Sequence, residues 1–435
     1  MFKKKGMRSV MRLGLGALFL LVVSTAWAQP VKVGARAEWL PAKTILMHTP
    51  GDEVFFGVVH PAAALFEKPF SLSQAQQEHR KYIELLEQGG ATVHTVVDVL
   101  LEGTIDNDGK SVPGKPLDDL RSLAKSFLTI DASRLPPEMR TQQDVYKNNT
   151  IGSLSPAELA RIVMLRPTVQ LEQTANNTGF KATYQVAPLM NLYFCRDQMI
   201  TTAKGVVLSR MNSPQREAET KVMRFVLKKM GIRPIYKVTG EGRLEGGDYF
   251  SAGDLAFIGQ GLRTNAEGIR QILEHKVFGV PRVAVVKDAW NNQEEMHLDT
   301  YFNIISPKLA VLVDLRMDLP GKPAQRGMKS KVDVYELDGG RYKKKISDRD
   351  FQQYLEKDLG YKVIPVTRKD QKLYGINFLT VNSNRIMAIE GSSEAYKQAL
   401  KANRVNATWM DFSALTSGYG AAHCTTQVLR REVTR

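Results

Sequence analysis

Cysteine is scarce in this sequence: Cys195 and Cys424 are the only two among 435 residues. That scarcity excludes a small scaffold held together by disulfides and a zinc module that needs several cysteines. Low-complexity segments are also missing, and 43% of the residues are hydrophobic. A fraction of that size is typical of globular proteins, so wholesale disorder, a collagen helix and a coiled coil are excluded.

The sequence has no apolar run of the roughly 20 residues that a transmembrane helix needs. The apolar run at 13–23 is too short, but five basic residues precede it and Ala26-Trp27-Ala28 follows it. A basic start, a short apolar run and small residues at the positions that a signal peptidase reads are typical of an export signal. We therefore predict a signal peptide over 1–28, cleaved after Ala28, and a periplasmic or secreted mature chain that begins at Gln29.

Positive charge exceeds negative charge, with a formal net charge of +15 at pH 7. Five of the basic residues belong to the predicted signal peptide, which leaves +10 for the mature chain. An excess of that size is typical of a solvated basic surface. The sequence contains no nucleic-acid-binding motif and no basic stretch interleaved with aromatic residues, so we expect no nucleic acid partner.

The length of the chain exceeds the roughly 250–300 residues at which a single hydrophobic core stops growing. We therefore expect two domains or one fold with a sizeable insertion. The mature chain opens with a predicted strand at Ala42–Met47, an amphipathic helix at Gln74–Gln88 and a second strand at Thr92–Val99. This order of elements predicts an α/β protein.

Between about 101 and 187 the strand signals fade, and helical patterns such as Leu117–Leu128 and Pro156–Met164 take their place. We interpret this part as a helical insertion. Short strands return from Leu192 onward, and the turn sequence Asp338-Gly339-Gly340 predicts a hairpin. These predicted strands are 205–208, 255–258, 283–286, 309–313, 332–337, 341–346, 362–366 and 385–390, and the predicted helices between them are 217–230, 265–274 and 350–359.

Five short segments each place a polar or ionisable group beside an apolar strand pattern, which is where α/β folds often carry their sites. The segments are 191–197, 245–248, 261–264, 296–300 and 423–427. None of them is decisive alone. The segment at 245–248 reads as a turn, Arg196-Asp197 as an ion pair, and Cys424 as a buried thiol. His297 and Asp299 are consistent with a surface pair and with two metal ligands.

Taken together and in this order, the segments resemble the arginine deiminase family of guanidine-modifying enzymes. The resemblance covers almost the whole mature chain and includes Leu46-Met47-His48-Thr49-Pro50-Gly51, Ala75-Gln76-Gln77-Glu78-His79 and Pro188-Leu189-Met190-Asn191-Leu192-Tyr193-Phe194. It implies the pentein fold, an α/β propeller with pseudo-five-fold symmetry. The chain would then form a single catalytic domain over 29–435, with the helical insertion at about 101–187. No metal and no organic cofactor is implied.

The resemblance also assigns catalytic roles to five residues. Asp197 and Asp299 would hold the planar guanidinium, and the thiolate of Cys424 would attack its central carbon. His297 would protonate the departing ammonia and then activate water, while Glu245 would hold His297 and the substrate. The implied reaction converts L-arginine to L-citrulline and ammonia through a covalent thiouronium intermediate on the cysteine.

The same resemblance assigns the amino-acid end of the substrate to five further residues, which are Asn191, Phe194, Arg216, Arg263 and Gly418. Two arginines directed at one carboxylate would form a pair of bidentate contacts. Arg216 lies at the start of a predicted helix, so a solvated charge on the helix surface is the alternative interpretation.

The sequence departs from the family pattern close to the cysteine. Tyr419 stands in place of an arginine, Ala421-Ala422 in place of residues that are usually glycine or proline, and Gln198 in place of a proline. The loss of a cation at Tyr419 weakens the recognition of a free carboxylate. Agmatine and a peptidyl arginine are therefore kept beside L-arginine as alternative substrates.

Two function classes other than a guanidine deiminase stay open. One is a non-catalytic pentein that serves as a binding protein, and the other is a metal hydrolase that uses His297, Asp299 and His423. The retention of all five ionisable residues favours catalysis. The expected partner is a small-molecule guanidine, with no membrane span, and a homo-oligomer is left open. Because an exported chain meets an oxidising compartment, we also hypothesise a regulatory disulfide between Cys195 and Cys424.

Overall fold

The computed structural model describes residues 31–176 and 178–432. The predicted signal peptide over 1–28 lies outside these residues. Within the described ranges, no helix is both long enough and apolar enough to cross a membrane. Numbered in chain order, the strands β1 to β20 are Ala42–Met47, Thr92–Thr95, Thr129–Arg134, Pro167–Gln173, Phe180–Val186, Met199–Thr201, Val206–Leu208, Tyr236–Lys237, Tyr249–Ala252, Leu255–Gln260, Arg282–Lys287, Phe302–Ser306, Leu309–Val313, Lys331–Asp338, Arg341–Asp350, Lys362–Val366, Leu379–Asn382, Arg385–Ile389, Asn406–Met410 and Gln427–Arg431. The helices α1 to α11 are Asp52–Val59, Leu72–Gln88, Val96–Leu101, Lys115–Lys125, Pro137–Ser153, Pro156–Leu165, Glu217–Lys229, Ala266–Glu274, Phe351–Gln353, Arg368–Lys372 and Glu394–Ala402.

Five sheets share one pattern of strand pairing. In each of them a central strand pairs antiparallel with one neighbour and parallel with the other, and the parallel neighbour follows the central strand in the chain. The sheet β3-β4-β5 has both kinds of pairing as well, but there the parallel neighbour precedes the central strand. We call the five sheets units 1 to 5, and they are β20-β1-β2, β6-β7-β8, β9-β10-β11, β12-β13-β16 and β17-β18-β19. Unit 1 joins the two ends of the described chain. The hairpin β14–β15 extends unit 3, because β14 pairs antiparallel with β11.

The pairing pattern follows from the order of elements along the chain. Antiparallel neighbours can be joined by a short turn, whereas parallel neighbours need a crossover of a dozen or more residues, usually through a helix. These crossovers contain α2 in unit 1, α7 in unit 2, α8 in unit 3, α9 in unit 4 and α11 in unit 5. Central strands are correspondingly apolar, and β13 is buried at every position, as expected for a strand that is covered on both faces.

Several predicted strands match the structure in their bounds. These are Ala42–Met47, Leu309–Val313 and Lys362–Val366, and the predicted hairpin is formed by β14 and β15. The strand predicted at Thr92–Val99 is wrong in its second half, because helix α3 begins at Val96. The Asp98 N–H donates to the Thr95 hydroxyl at 3.2 Å, and this N-terminal cap favours a helix in spite of the β-branched valines.

The part at about 101–187 contains a sheet as well as helices. Strands β3, β4 and β5 form a separate three-stranded sheet, and α4, α5 and α6 belong to the same part of the chain. The side chains of these strands are half-buried or exposed, so they lack the apolar pattern on which strand prediction depends. The prediction of a purely helical insertion is therefore wrong, while the domain bounds stay a prediction.

The turns that precede one outer strand of each unit carry the polar residues of interest. Just before β6, β9, β12, β17 and β20 the chain makes short turns, and each turn contains a buried polar or ionisable side chain. In that order the side chains are Asp197, Glu245, Asp299, Asn377 and Cys424. Equivalent turns of five similarly paired units therefore present the candidate site residues.

Candidate active site

The turns of the five units meet around Cys424. The Cys424 Sγ lies 3.5 Å from Asp299 Oδ2 and 3.2 Å from Asn377 Nδ2. The backbone N–H of Arg196, next to Asp197, donates to the carbonyl oxygen of Cys424 at 3.1 Å. Residues that lie far apart in the sequence are thus brought within contact distance of one sulfur atom.

Glu245 and His297 form a buried pair beside this sulfur-bearing turn. The Nε2–H of His297 donates to Glu245 Oε2 at 2.9 Å, and the Asn212 N–H donates to the other carboxylate oxygen at 2.9 Å. Glycine permits the close approach, because a Cβ at Gly247 would lie 2.6 Å from His297 Nδ1. The sequence at 245–248 is therefore a turn, as its glycines indicate, and also part of the site.

The charges around His297 favour its protonated form. Burial by itself lowers the pKa of His297, but Asp197, the hydrogen bond to Glu245 and the nearby Asp248 outweigh burial and raise this pKa to about 9. Burial is the largest single effect and raises the pKa of Glu245, but the hydrogen bond and charge of His297, together with the charges of Arg216 and Arg263, outweigh it and lower this pKa to about 2. The two side chains therefore form an imidazolium–carboxylate pair at neutral pH.

A second histidine–carboxylate pair adjoins Cys424. The Nδ1–H of His423 donates to Asp299 Oδ2 at 2.7 Å. Burial and Arg196 lower the pKa of His423 more than Asp299 raises it, so this imidazole is neutral. Burial raises the pKa of Asp299, but the bond from His423 and nearby positive charges bring it below its ordinary value. Asp299 is therefore a carboxylate held in place by a neutral histidine.

Cys424 is a protonated thiol in these surroundings. Burial raises the pKa of the thiol well above its ordinary value, and the carboxylates of Asp299 and Asp197 raise it further. The hydrogen bonds that involve Asn377 and Ala421 act in the opposite direction and only in part. An additional positive charge close to the sulfur is needed to form the thiolate.

Two carboxylate oxygens of the site, Asp197 Oδ1 and Asp299 Oδ1, receive no hydrogen bond from any described residue. Both side chains are buried, with residue exposures of 3% and 0%. The Nδ1 atom of His297 is 3.8 Å from Asp197 Oδ1, which is too long for a hydrogen bond. Buried charged oxygens without donors are costly, so this pair marks a place that suits a cation with several N–H groups.

Arg216 holds the other oxygen of Asp197. Its Nη1–H donates to Asp197 Oδ2 at 2.8 Å, and its Nη2–H donates to Glu219 Oε2 at 3.0 Å and to the Asn191 carbonyl oxygen at 3.3 Å. Arg216 is buried, so the alternative of a charge on the helix surface does not apply. Most of its donors are engaged within the protein, and its guanidinium does not present an open pair of donors to a substrate carboxylate.

The other predicted substrate residues line the same cavity, and they are Asn191, Phe194, Arg263 and Gly418. Arg263 donates from Nη2–H to Gln293 Oε1 at 3.0 Å, while its buried Nε has no partner in the described part of the chain. Gly418 is required by packing, because a Cβ there would lie 1.8 Å from the hydroxyl oxygen of Tyr193. The structure thus brings all five predicted substrate residues, Arg216 included, to the cavity that contains Cys424.

This cavity is small, with a volume of about 20 Å³. Roughly 10–15 Å³ is the least that holds one water molecule, so the walls must move apart to admit a guanidine substrate. Tyr419 lines this cavity and a neighbouring cavity of about 110 Å³, which Asn377 also lines. The residue that replaces the family arginine therefore forms part of the wall between the two cavities.

Four residues of the site were given no role from the sequence, although Met296 begins one of the five selected segments. They are Leu65, Gln293, Met296 and Asn377. For Asn377 a signal was present, because it is a polar residue just before the apolar start of β17, as in the segments that were selected. Leu65 and Met296 carry no such signal, since an apolar residue that lines a cavity looks in the sequence like any core residue.

A metal ion fits these residues poorly. His297, Asp299 and His423 do not come together as a metal-binding set in the described residues. The groups whose ligand atoms lie within 4.8 Å of one another are Asp197, Glu245 and His297. However, Arg216 Nη1 lies 2.8 Å from Asp197 and 3.8 Å from Glu245. A guanidinium therefore already neutralises these carboxylates, and the arrangement suits an organic cation better than a metal.

Cys195 and Cys424 are both free and buried. The Cys195 thiol donates to the Leu192 carbonyl oxygen at 3.4 Å, whereas the Cys424 thiol faces Asp299 and Asn377. The two sulfurs thus have separate partners, and the regulatory disulfide stays a hypothesis.

The fold and the site together define a class of protein. An α/β scaffold whose turns gather a thiol, two carboxylates and a protonated histidine around one cavity is that of the guanidine-modifying pentein proteins. More narrowly, the chain belongs to the arginine deiminase family, whose sequence model matches residues 63–431. The family resemblance found in the sequence is therefore confirmed.

Individual relatives agree with this assignment. The chain is 26% identical to the arginine deiminase of Halobacterium salinarum, over 92% of this chain and 97% of the relative. It is 23% identical to the arginine deiminase of Streptococcus uberis, over 90% of this chain and 96% of the relative.

Solved structures show the same fold at lower identity. The N-terminal domain of ArgZ, an arginine dihydrolase from cyanobacteria, has a TM-score of 0.53 at 15% identity, over 89% of this chain and 97% of that domain. A DDAH variant from Pseudomonas aeruginosa complexed with citrulline has a TM-score of 0.50 at 15% identity, over 89% of this chain and 98% of that one. These likenesses confirm the predicted α/β fold of the pentein type.

Proposed function

We propose that the protein hydrolyses the guanidinium group of L-arginine to give L-citrulline and ammonia through a thiouronium bound to Cys424. The proposal rests on two buried oxygens, Asp197 Oδ1 and Asp299 Oδ1, that accept no hydrogen bond from any described residue. The thiol of Cys424 lies beside them, 3.5 Å from Asp299 Oδ2. A guanidinium is planar, cationic and edged with N–H donors. It would supply both the missing donors and the missing positive charge.

Binding of the cation also activates the nucleophile. Its positive charge offsets the carboxylates of Asp197 and Asp299, which together with burial raise the pKa of Cys424. The thiol then ionises and its proton leaves to water, so the reactive thiolate forms when substrate is present.

In the first half of the reaction, the thiolate of Cys424 attacks the central guanidinium carbon. A C–S bond forms, and the electron pair of the C=N bond moves onto nitrogen. His297 is protonated, because its pKa is raised to about 9. Since Glu245 holds the Nε2–H, His297 gives its Nδ1 proton to the departing nitrogen. The C–N bond breaks, ammonia leaves with the electron pair of that bond, and a cationic thiouronium remains on the sulfur.

In the second half, the neutral His297 takes a proton from water while the water oxygen attacks the same carbon. The C–S bond then breaks and its electron pair returns to sulfur. The hydroxyl proton is lost to solvent, which leaves the ureido product, and His297 is an imidazolium again because it keeps the proton that it took from water. Glu245 fixes the orientation of His297 and stabilises its charge in both halves.

L-Arginine is the proposed substrate, and agmatine and a peptidyl arginine are the alternatives. Membership of the family and the unpartnered Nε of Arg263 among the described residues support a substrate that carries a carboxylate. The engagement of Arg216 by Asp197 and Glu219 and the replacement of an arginine by Tyr419 support the alternatives.

Two further statements belong to this proposal. We propose that the five units surround the site as a propeller with pseudo-five-fold symmetry. Their shared pairing pattern and the contacts among their turns support this arrangement. We also keep the proposal of a periplasmic or secreted location, which is supported by the pattern of residues 1–28.

The test is a colour assay for ureido product on purified mature chain, supplied separately with L-arginine, agmatine and an arginyl peptide. Cys424→Ala is expected to abolish product, and Cys195→Ala, at the other cysteine, is the matched control that should retain it. Intact mass of the acid-quenched wild type should show an adduct of substrate less ammonia. A folded wild type that converts none of the three substrates, or product from Cys424→Ala at the wild-type rate, would contradict the proposal.

A further inference from the structure

We propose that Asn377 is a catalytic residue whose side-chain N–H stabilises the thiolate of Cys424. This inference rests on the proposed function in one respect, namely that Cys424 is the nucleophile. Asn377 is 2% exposed, and neither the sequence motifs nor the family resemblance pointed to it.

The hydrogen bonds of Asn377 determine which end of its amide faces the sulfur. The backbone N–H groups of Ala421 and Cys424 donate to Asn377 Oδ1 at 3.0 and 3.3 Å. Because two donors meet one end of the amide, that end must be the oxygen, and the NH₂ group must point the other way. There Nδ2 donates to Cys424 Sγ at 3.2 Å and to the Asp299 carbonyl oxygen at 3.1 Å.

The surroundings of the sulfur make this donor important. The titratable and charged groups that face Cys424 or line its cavity are Asp197, Asp299, His297, His423, Tyr193, Tyr374, Arg216 and Arg263. Arg216 donates to Asp197 and Glu219, and Arg263 donates to Gln293. Asp197 and Asp299 are carboxylates, His423 is neutral, and Glu245 holds the charge of His297. The family resemblance places an arginine where this chain has Tyr419, so this chain lacks that cation. Among the described side chains, the amide of Asn377 is the one that donates to Sγ.

The position of Asn377 in the fold supports the same role. It lies just before β17, the outer strand of unit 5. In the other four units the equivalent turns supply Asp197, Glu245, Asp299 and Cys424. Asn377 is thus the contribution of the fifth unit to the same group of side chains.

The step that Asn377 assists is an ionisation. The S–H bond of Cys424 breaks, the electron pair stays on sulfur and the proton passes to water. The N–H of Asn377 remains covalently intact, and its hydrogen bond becomes stronger because the acceptor changes from a neutral thiol to an anion. Asn377 therefore favours the thiolate before and during attack.

The test measures alkylation of Cys424 by iodoacetamide as a function of pH, without substrate, in a Cys195→Ala background. Asn377→Asp keeps an oxygen for the Ala421 and Cys424 N–H groups but replaces the donor by an acceptor. Asn377→Ser adds no charge and replaces the amide by a shorter side chain, whose hydroxyl no longer reaches Sγ. Both variants should raise the pH midpoint of alkylation by about one unit or more, so that the rate below the midpoint falls about tenfold.

The control is Asn403→Ala. Asn403 also donates its side-chain amide to a backbone carbonyl oxygen, that of Ala399 at 2.7 Å, but it follows the end of α11 and forms no hydrogen bond with Asn377 or Cys424. The midpoint of this variant should stay at the wild-type value. Folded Asn377→Asp and Asn377→Ser proteins with the wild-type midpoint would overturn the inference. The assay needs no turnover, so a shifted midpoint in a protein that converts no guanidine would count against the proposed reaction and not against the role of Asn377.

Discussion

Removal of the charge on Glu245 is the most informative perturbation of the candidate site. The substitution Glu245→Gln keeps the shape of the side chain and an oxygen for the bond from the Asn212 N–H. It removes the negative charge that lies 2.9 Å from His297 Nε2. The variant therefore separates the electrostatic effect of Glu245 on His297 from its packing.

The size of the effect follows from the carboxylates around His297. Asp197, Glu245 and Asp248 together raise the pKa of His297 from 6.5 to about 9 in spite of burial. Loss of one of these three charges should lower the pKa by about one unit or more, which corresponds to about 1.4 kcal/mol per unit. The alkaline limb of the kcat profile should move from near pH 9 to near pH 8 or below. At pH 8 the protonated fraction of His297 would fall from about 0.9 to about 0.5, so kcat should fall about twofold there, and the loss should approach about tenfold near pH 10.

Stability should depend on pH for the same reason. Because folding raises the pKa of His297, protonated His297 adds to the free energy of unfolding. This contribution is fully present below the unfolded pKa of 6.5 and is lost as pH rises through about 9. The shift corresponds to on the order of 3 kcal/mol. The lowered pKa of Glu245 reports the same interaction and adds nothing further. Glu245→Gln should therefore reduce the loss of stability between pH 6.5 and 9.

The assays are a kcat profile over pH 5–10 and urea unfolding at pH 6.5 and pH 9. Glu241→Gln is the matched control, because Glu241 is exposed and lies four residues before Glu245 in the sequence. It should leave both profiles unchanged. An alkaline limb that stays near pH 9 in a folded Glu245→Gln protein would refute the reasoning.

Two further substitutions test the shape and the selectivity of the site. Gly247→Ala places a Cβ 2.6 Å from His297 Nδ1 and should lower kcat, measured by steady-state kinetics, at least about tenfold by displacing the imidazole. The control Gly152→Ala lies in an exposed helical position with open space and should leave kcat unchanged. Equal kcat values for the two variants would count against the packing argument. Arg263→Gln should raise KM for L-arginine about tenfold or more and leave KM for agmatine unchanged. The control Arg270→Gln, on the exposed face of α8, should change neither KM. A parallel rise of KM for both substrates in Arg263→Gln would show that Arg263 does not bind the carboxylate.

The ten site residues that the sequence predicts are brought together by the structure. Eight line the cavity, and the other two, Glu245 and Asp299, contact His297 and Cys424. Prediction could find these residues because each of them interrupts an apolar pattern or matches a family motif, and their roles in binding and catalysis stay predictions. Prediction assigned no role to Leu65 and Met296, because in the sequence an apolar residue that lines a cavity cannot be distinguished from one in the hydrophobic core.

The bonds within the site could not be read from the sequence. The amino-acid sequence does not show that Glu245 accepts a hydrogen bond from His297 while Asp299 accepts one from His423. Nor do they show that Arg216 occupies one oxygen of Asp197. The two histidine contacts join turns of different units, and the Arg216 contact joins the first turn of unit 2 to its crossover. All three depend on how the chain packs and not on local spacing.

The sequence by itself determined the α/β class, the bounds of the most apolar strands and the family, because apolar runs and motif residues are local properties of the chain. The tertiary structure alone decided the repetition of five similarly paired units, since the repeat resides in strand pairing and not in amino-acid identity. It also decided that one histidine is charged and the other neutral, and that Asn377 meets the sulfur of Cys424. Charge state and hydrogen bonding depend on burial and on neighbours within a few ångströms, and only the folded chain places those neighbours.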